Sequence, residues 1–133
     1  MREIKFRMFI GGRFYYWGFI KSQYGDDYEF RGLTDTNAEP LSMVEKLARS
    51  QQYTGFHDNN GVEIYEGDIL KNGNTYGNAP KLIEVVWNER EGAFNGKVGA
   101  GRLPLSCAYW FFVNCEVISN ICEHSHLLKG GVN

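Results

Sequence analysis

The sequence predicts a mainly β protein of β+α class: a small, bent, SH3-like β-barrel lobe, preceded by an N-terminal β-hairpin and one amphipathic helix. Three observations predict it. Phe, Tyr and Trp make up 15% of the 133 residues, and such residues suit pleated, half-buried strands. From Tyr53 onward, short apolar runs alternate with Gly- and Asn-rich breaks, the spacing of small barrels and strongly bent sheets. Only one stretch, near residues 38–50, has the period of a helix.

This length sets the expectation of one domain over residues 1–133, or of two small lobes sharing a core, without need of disulfide or metal staples. Within it the reading places a hairpin region over 1–36, the helix over 38–50, the barrel-like lobe over 52–128 and a fraying tail over 129–133. In "EIKFRMF", Ile4, Phe6 and Met8 fall on one face and Lys5 and Arg7 on the other, a half-buried strand. Gly11-Gly12 signals a turn. "RFYYWGFIK" follows as a second, largely covered strand with aromatics on both faces. "YGDDYEFRGL" bends at Gly25-Asp26-Asp27 into a further short strand.

The helix has two candidate starts. Pro40 suits a first helical position, where its missing N–H goes unmissed. Alternatively, Ser42 caps and Glu45 reaches back to it. Leu41, Val44, Leu47 and Ala48 share one face, so that stripe is expected to lie on the sheet. Beyond it, "VEIYEGDILK", "KLIEVVWN" and "YWFFVNCEVISNICE" read as strands. "NGNTYGNAP" and "NEREGAFNGKVGAGRLP" read as turns or loops.

Composition narrows function. The formal charge is −2, and the fourteen Lys and Arg are scattered without a basic run, so the usual electrostatic footprint for nucleic acid is missing. No window has the apolar length of a signal peptide core or a spanning helix. Cys107, Cys115 and Cys122 are an odd number without zinc-finger spacing. The expectation is reduced thiols in a cytoplasmic protein.

The densest polar stretch is "QYTGFHDNNGVEIYEGDILK", residues 52–71. Asp and Asn bond their own backbone two residues on, and Asn-Gly accepts positive φ. Asp58 to Gly61 then reverses the chain, and Glu66-Gly67-Asp68 bends it again. The order D-N-N-G-V-E lacks the two-residue register of a calcium loop. Tyr53, Gly55, Asp58, Gly61, Tyr65, Gly67 and Asp68 are read as a structural turn motif.

The same stretch resembles the signature of the YopX family of phage and prophage proteins, which runs Q-Y-T-G, then Asp and Gly, then I-Y-E-G-D-I. "MREIKFRMF" resembles the family's start and "EVISNICEHSHLL" its close. Together the three segments cover about a third of the chain. The sequence departs from the pattern at Phe9 to Gly12 and at Cys122 to His126. The resemblance implies a small, mainly β protein with a barrel-like C-terminal part and subunits that associate. It implies no catalytic residue.

Other chemistry is thinner. On a strand, Cys122, His124 and His126 would share one side. With no fourth ligand in view, a buried Cys followed by a solvated tail fits better. "GAFNGKVGAGR" fails the phosphate-loop spacing, although Lys97 and Arg102 are candidate contacts to a nucleic-acid backbone. Glu63, Glu66 and Asp68 form an acid cluster that solvated turn charges explain as well as acid–base chemistry. His57 beside Asp58 is a poor dyad, because sequence neighbours seldom face each other.

The expectation is therefore a non-enzymatic protein without cofactor or metal. It self-associates and binds a host or phage macromolecule, its surplus aromatics forming the interface. A nucleic-acid-binding module of SH3-like type is the alternative.

Overall fold

Strand β1 (Ile4–Ile10) turns at Gly11-Gly12 into β2 (Arg13–Lys21), and the two pair antiparallel with Phe6 opposite Trp17 and Met8 opposite Tyr15. The computed structural model describes residues 3–33, 41–72, 82–98, 101–104 and 115–124. The chain divides into two compact units, Met1–Gly55 and Phe56–Asn133. The protein is mainly β, with two antiparallel sheets.

In the first unit, β3 (Tyr28–Arg31) pairs with β2, and β4 (Ser50–His57) pairs with β1. The order in this unit is β3-β2-β1-β4; β5 (Glu63–Tyr65) belongs to the second unit. Alternation along β1 puts Met8 in the core, as its period requires. It does not put Arg7 in solvent: that residue is 6% exposed. Its Nε donates to Gln51 Oε1 at 2.8 Å, and its guanidinium lies 4.2 Å from the Phe14 ring centroid. Lys5 likewise sits over the Tyr53 ring. The face read as polar is thus covered by aromatics that stack on its cations. Gly18 is buried opposite Lys5 at φ 131°, where a Cβ would run into the Ile4 carbonyl and lie 2.8 Å from Lys5 Cα. β2 is less covered than expected, since Tyr16 and Phe19 remain exposed.

Helix α1 spans Met43–Arg49. Ser42 caps it, accepting from Glu45 N at 3.2 Å and donating to Glu45 Oε1 at 3.1 Å. Pro40 lies outside the described residues. The expected buried stripe is not buried: Val44 is 77% exposed, and Leu47 and Ala48 are exposed too. Lys46 instead lies over the Trp17 ring, 5.8 Å from its centroid. The helix has seven residues and passes at once into β4, where Ser50 Oγ accepts from Trp17 Nε1 at 2.9 Å. The strand pairing that follows, and not the apolar stripe, orients so short a helix.

The second unit holds β6 (Asp68–Asn72), β7 (Leu82–Asn88), β8 (Ala93–Val98), β9 (Gly101–Pro104) and β10 (Cys115–Asn120). The order is β10-β6-β7-β8-β9, open at both ends among the described residues. A register shift between Val117 and Ser119 leaves Ile118 exposed, and such a bulge bends its strand. Ile64, Leu70, Ile83, Val85 and Cys115 form the core, with Phe94 and Val117 against it.

Residues read as loop at 93–98 and 101–104 are strands. Phe94 packs edge-on to Trp87 at 5.0 Å between centroids. Asn95 is fully buried, yet its amide accepts from Asn88 Nδ2 and donates to Glu91 and to the Phe94 carbonyl. Hydrogen bonding removes the penalty that makes Asn look like a loop residue. No helix among the described residues is long and apolar enough to cross a membrane.

Candidate functional site

Asp58 follows β4, and the chain reverses over the next four residues with the Asp58 side chain accepting two of their amides. Oδ1 accepts from Asn60 N at 2.8 Å and Val62 N at 2.9 Å. The main chain closes the same turn, Asp58 N to Val62 O at 2.9 Å and Gly61 N to Asp58 O at 3.1 Å. Gly61 has φ 79° there, with open space where a Cβ would be. The other carboxylate oxygen, Oδ2, accepts from Val117 N on β10 at 2.9 Å, and Asn59 N donates to the Cys115 carbonyl at 3.1 Å. Asp58 is 6% exposed.

The second bend has the same logic. Asp68 is 1% exposed, and its Oδ2 accepts from Tyr65 N at 2.7 Å. Gly67, at φ 87°, donates its N–H to the Val85 carbonyl at 2.7 Å, and its own carbonyl accepts from Ile121 N at 2.9 Å. Gly55, also at positive φ, lies within β4 beside the buried Tyr53 and Thr54, and Tyr65 is buried on β5. The seven turn-motif residues thus lie on β4, β5, β6 and the two bends that join them. Asp58 and Asp68, the acids nearest to catalytic placement in the sequence, point their oxygens at backbone N–H groups. Glu63 and Glu66 are half-buried. His57 is exposed.

Cys115 and Cys122 are free thiols in opposite surroundings: Cys115 is buried, and Cys122 is exposed. Burial, with the Asp58 carboxylate adding to it, pushes the Cys115 thiol up to about 11. The expectation of a buried Cys122 is overturned, and so is its place on a strand. Asn120 Oδ1 accepts from Glu123 N at 3.0 Å, and Asn120 Nδ2 donates to Glu123 Oε1 at 3.2 Å. This cap starts the helical turn α2 (Ile121–His124), in which residues two apart do not share a face. The N-x-x-E spacing was readable and was missed. His124 Nδ1 bonds Ser119 Oγ instead. His126 and Cys107 lie outside the described residues. Among the described residues no group of three His, Cys, Asp or Glu could hold a metal ion.

Lys97 is exposed on β8, directly opposite Arg102 in the β8–β9 ladder. On the other side Lys97 faces Glu84 of β7. The basic pair is real in register, with an acid one strand away.

An exposed apolar feature shared by adjacent strands lies in the first sheet. Ile4 pairs with Phe19, and Phe19 with Phe30, so the three form one row across β1, β2 and β3. They are 43%, 50% and 50% exposed. The Phe19 and Phe30 rings lie 5.5 Å apart between centroids. Sequence reading expected outward aromatics on the second strand but could not place Ile4 or Phe30 beside them.

Comparison with known proteins agrees with the motif. The model of the YopX protein family matches residues 5–129, nearly the whole chain, and the chain belongs to that family. No curated protein matches it. Among solved structures, protein EF1440 from Enterococcus faecalis is similar, with 22% identity and a TM-score of 0.47 over 94% of this chain and 97% of that one.

Proposed function

We propose that this YopX-family chain is a phage or prophage accessory protein that acts by recognition and not by turnover. It associates with itself and binds a host or phage macromolecule in the bacterial cytoplasm. The observation that carries this reading is the exposed row Ile4, Phe19 and Phe30, three large apolar side chains in register on one sheet face. Contiguous apolar surface of this kind marks interfaces. The non-enzymatic part is supported by Asp58, whose two oxygens already accept three backbone N–H groups. No cofactor enters the reading.

The test is gel filtration with light scattering and two-wavelength absorbance on untagged protein from a lysate. A homo-oligomer free of nucleic acid supports the reading, and a pull-down from host extract then seeks the partner. A monomer, or a species whose nucleic acid is removed by salt, goes against it. That second outcome would favour the nucleic-acid module, which Lys97 opposite Arg102 supports. Its binding would fall steeply with salt.

A further inference from the structure

We infer that two copies of this chain pair antiparallel through the β3 edge, about a two-fold axis at Phe30. The inference rests on the self-association proposed above and names its surface. β3 ends the order β3-β2-β1-β4 among the described residues. Its sequence, Tyr-Glu-Phe-Arg, has no proline or lysine to blunt the edge.

The phase of the ladder decides which groups face outward. Ser22 N donates to Asp27 O at 2.8 Å, making those two a hydrogen-bonded pair. Such pairs alternate in an antiparallel ladder. Ile20 with Glu29 and Gly18 with Arg31 are then hydrogen-bonded pairs too, because their register continues that ladder. Phe30, between them, turns its N–H and C=O away from β2. A two-fold axis at Phe30 lets these groups bond the same groups of a second copy.

The side chains agree with that register. With Phe30 opposite Phe30 of the partner subunit, Glu29 lies opposite Arg31 of the partner subunit, and Arg31 opposite the partner subunit's Glu29. Both charges are exposed in the single chain, where Arg31 Nη2 reaches Glu29 Oε1 at 2.7 Å. They lie on the sheet face opposite Phe30, so the pairing adds two ion pairs on one face. On the other face it joins the row Ile4, Phe19, Phe30 to its copy, six side chains without a charge between them. An axis at Tyr28 would satisfy the same backbone phase but would set Glu29 against Asp27 of the partner subunit. An axis at Glu29 or Arg31 would offer backbone groups already bonded to β2. A four-residue edge is short of a standard interface of ~800 Å² per partner, so the dimer dissociates on dilution.

Sedimentation velocity over a dilution series tests this with Glu29→Arg, with Arg31→Glu, with their equimolar mixture and with the double swap Glu29→Arg/Arg31→Glu. Circular dichroism checks that each folds. Each single variant faces like charges across the axis, and its dimer dissociation constant is expected to rise about tenfold or more. The mixture and the double swap restore opposite charges and are expected to return to within about threefold of the unmodified chain. Single variants that associate like the unmodified chain would overturn the β3 pairing while leaving self-association standing. So would a mixture or double swap that fails to recover. An unmodified chain that is monomeric at every concentration would overturn both.

Discussion

The Asp58 carboxylate accepts the Val117 amide at 2.9 Å across 59 residues of chain. One side chain therefore holds its own turn and anchors β10 beside it. Asp58→Ala would leave the amides of Asn60, Val62 and Val117 without their acceptor; Val117 is half-buried, while Asn60 and Val62 are exposed and can turn to water. The expected cost is about 1–3 kcal/mol by urea unfolding, the range for one orphaned buried donor, and comes mainly from Val117. Asp58→Asn also loses stability, because one accepting oxygen becomes a donating NH₂ that faces an N–H. Unchanged unfolding in both variants would mean the turn is held by other contacts.

Two glycines separate backbone strain from collision. Gly61 has φ 79° and open space around a Cβ position, so Gly61→Ala and Gly61→Val carry the left-handed backbone penalty of about 1–2 kcal/mol. Gly18 has φ 131° and backbone of β1 where its Cβ would go. Gly18→Ala must also push two paired strands apart, and is expected to cost more than Gly61→Ala. Thermal melts of the two alanine variants side by side decide the order.

Arg7→Lys is expected to destabilise by about 1–3 kcal/mol. A lysine cannot both lie over the Phe14 ring and donate to Gln51, as the guanidinium does. Lys5→Arg, on the same face, is expected to cost less. Equal melting temperatures for unmodified protein and Arg7→Lys would show that the stack carries no energy.

The cysteines make a pH-dependent prediction. The Cys115 thiol is raised from 9.0 to about 11, so between those values the folded chain keeps a proton that the unfolded chain has lost. Folding then takes up a proton, and stability falls as pH rises through that window. Cys115→Val should flatten this fall relative to the unmodified protein. At pH 8, Ellman's reagent should modify Cys122 rapidly and Cys115 only on unfolding. Rapid labelling of Cys115 in peptide mapping would contradict its burial.

Much of the architecture was legible in local patterns. The period of "EIKFRMF", the Gly11-Gly12 turn and the Ser42/Glu45 cap act within a few residues, and each formed as its chemistry dictates. "HDNNGVEI" was readable as a turn because Asp58 bonds amides two and four residues on. Asn120 with Glu123 is equally local, an N-x-x-E cap inside a run that otherwise reads as strand.

What the sequence by itself determined was the class, the family motif and the places where the chain must turn, since these rest on interactions between near neighbours. Only the tertiary structure decided where long-range partners meet. Val117 reaches Asp58, Gln51 and Phe14 take in Arg7, and Asn95 becomes a core residue through Asn88 and Glu91. Strand register likewise aligned Ile4, Phe19 and Phe30 into one exposed row and left the stripe of α1 uncovered. The physical reason is that periodicity states which residues share a face, while burial and pairing depend on what a distant strand places against that face.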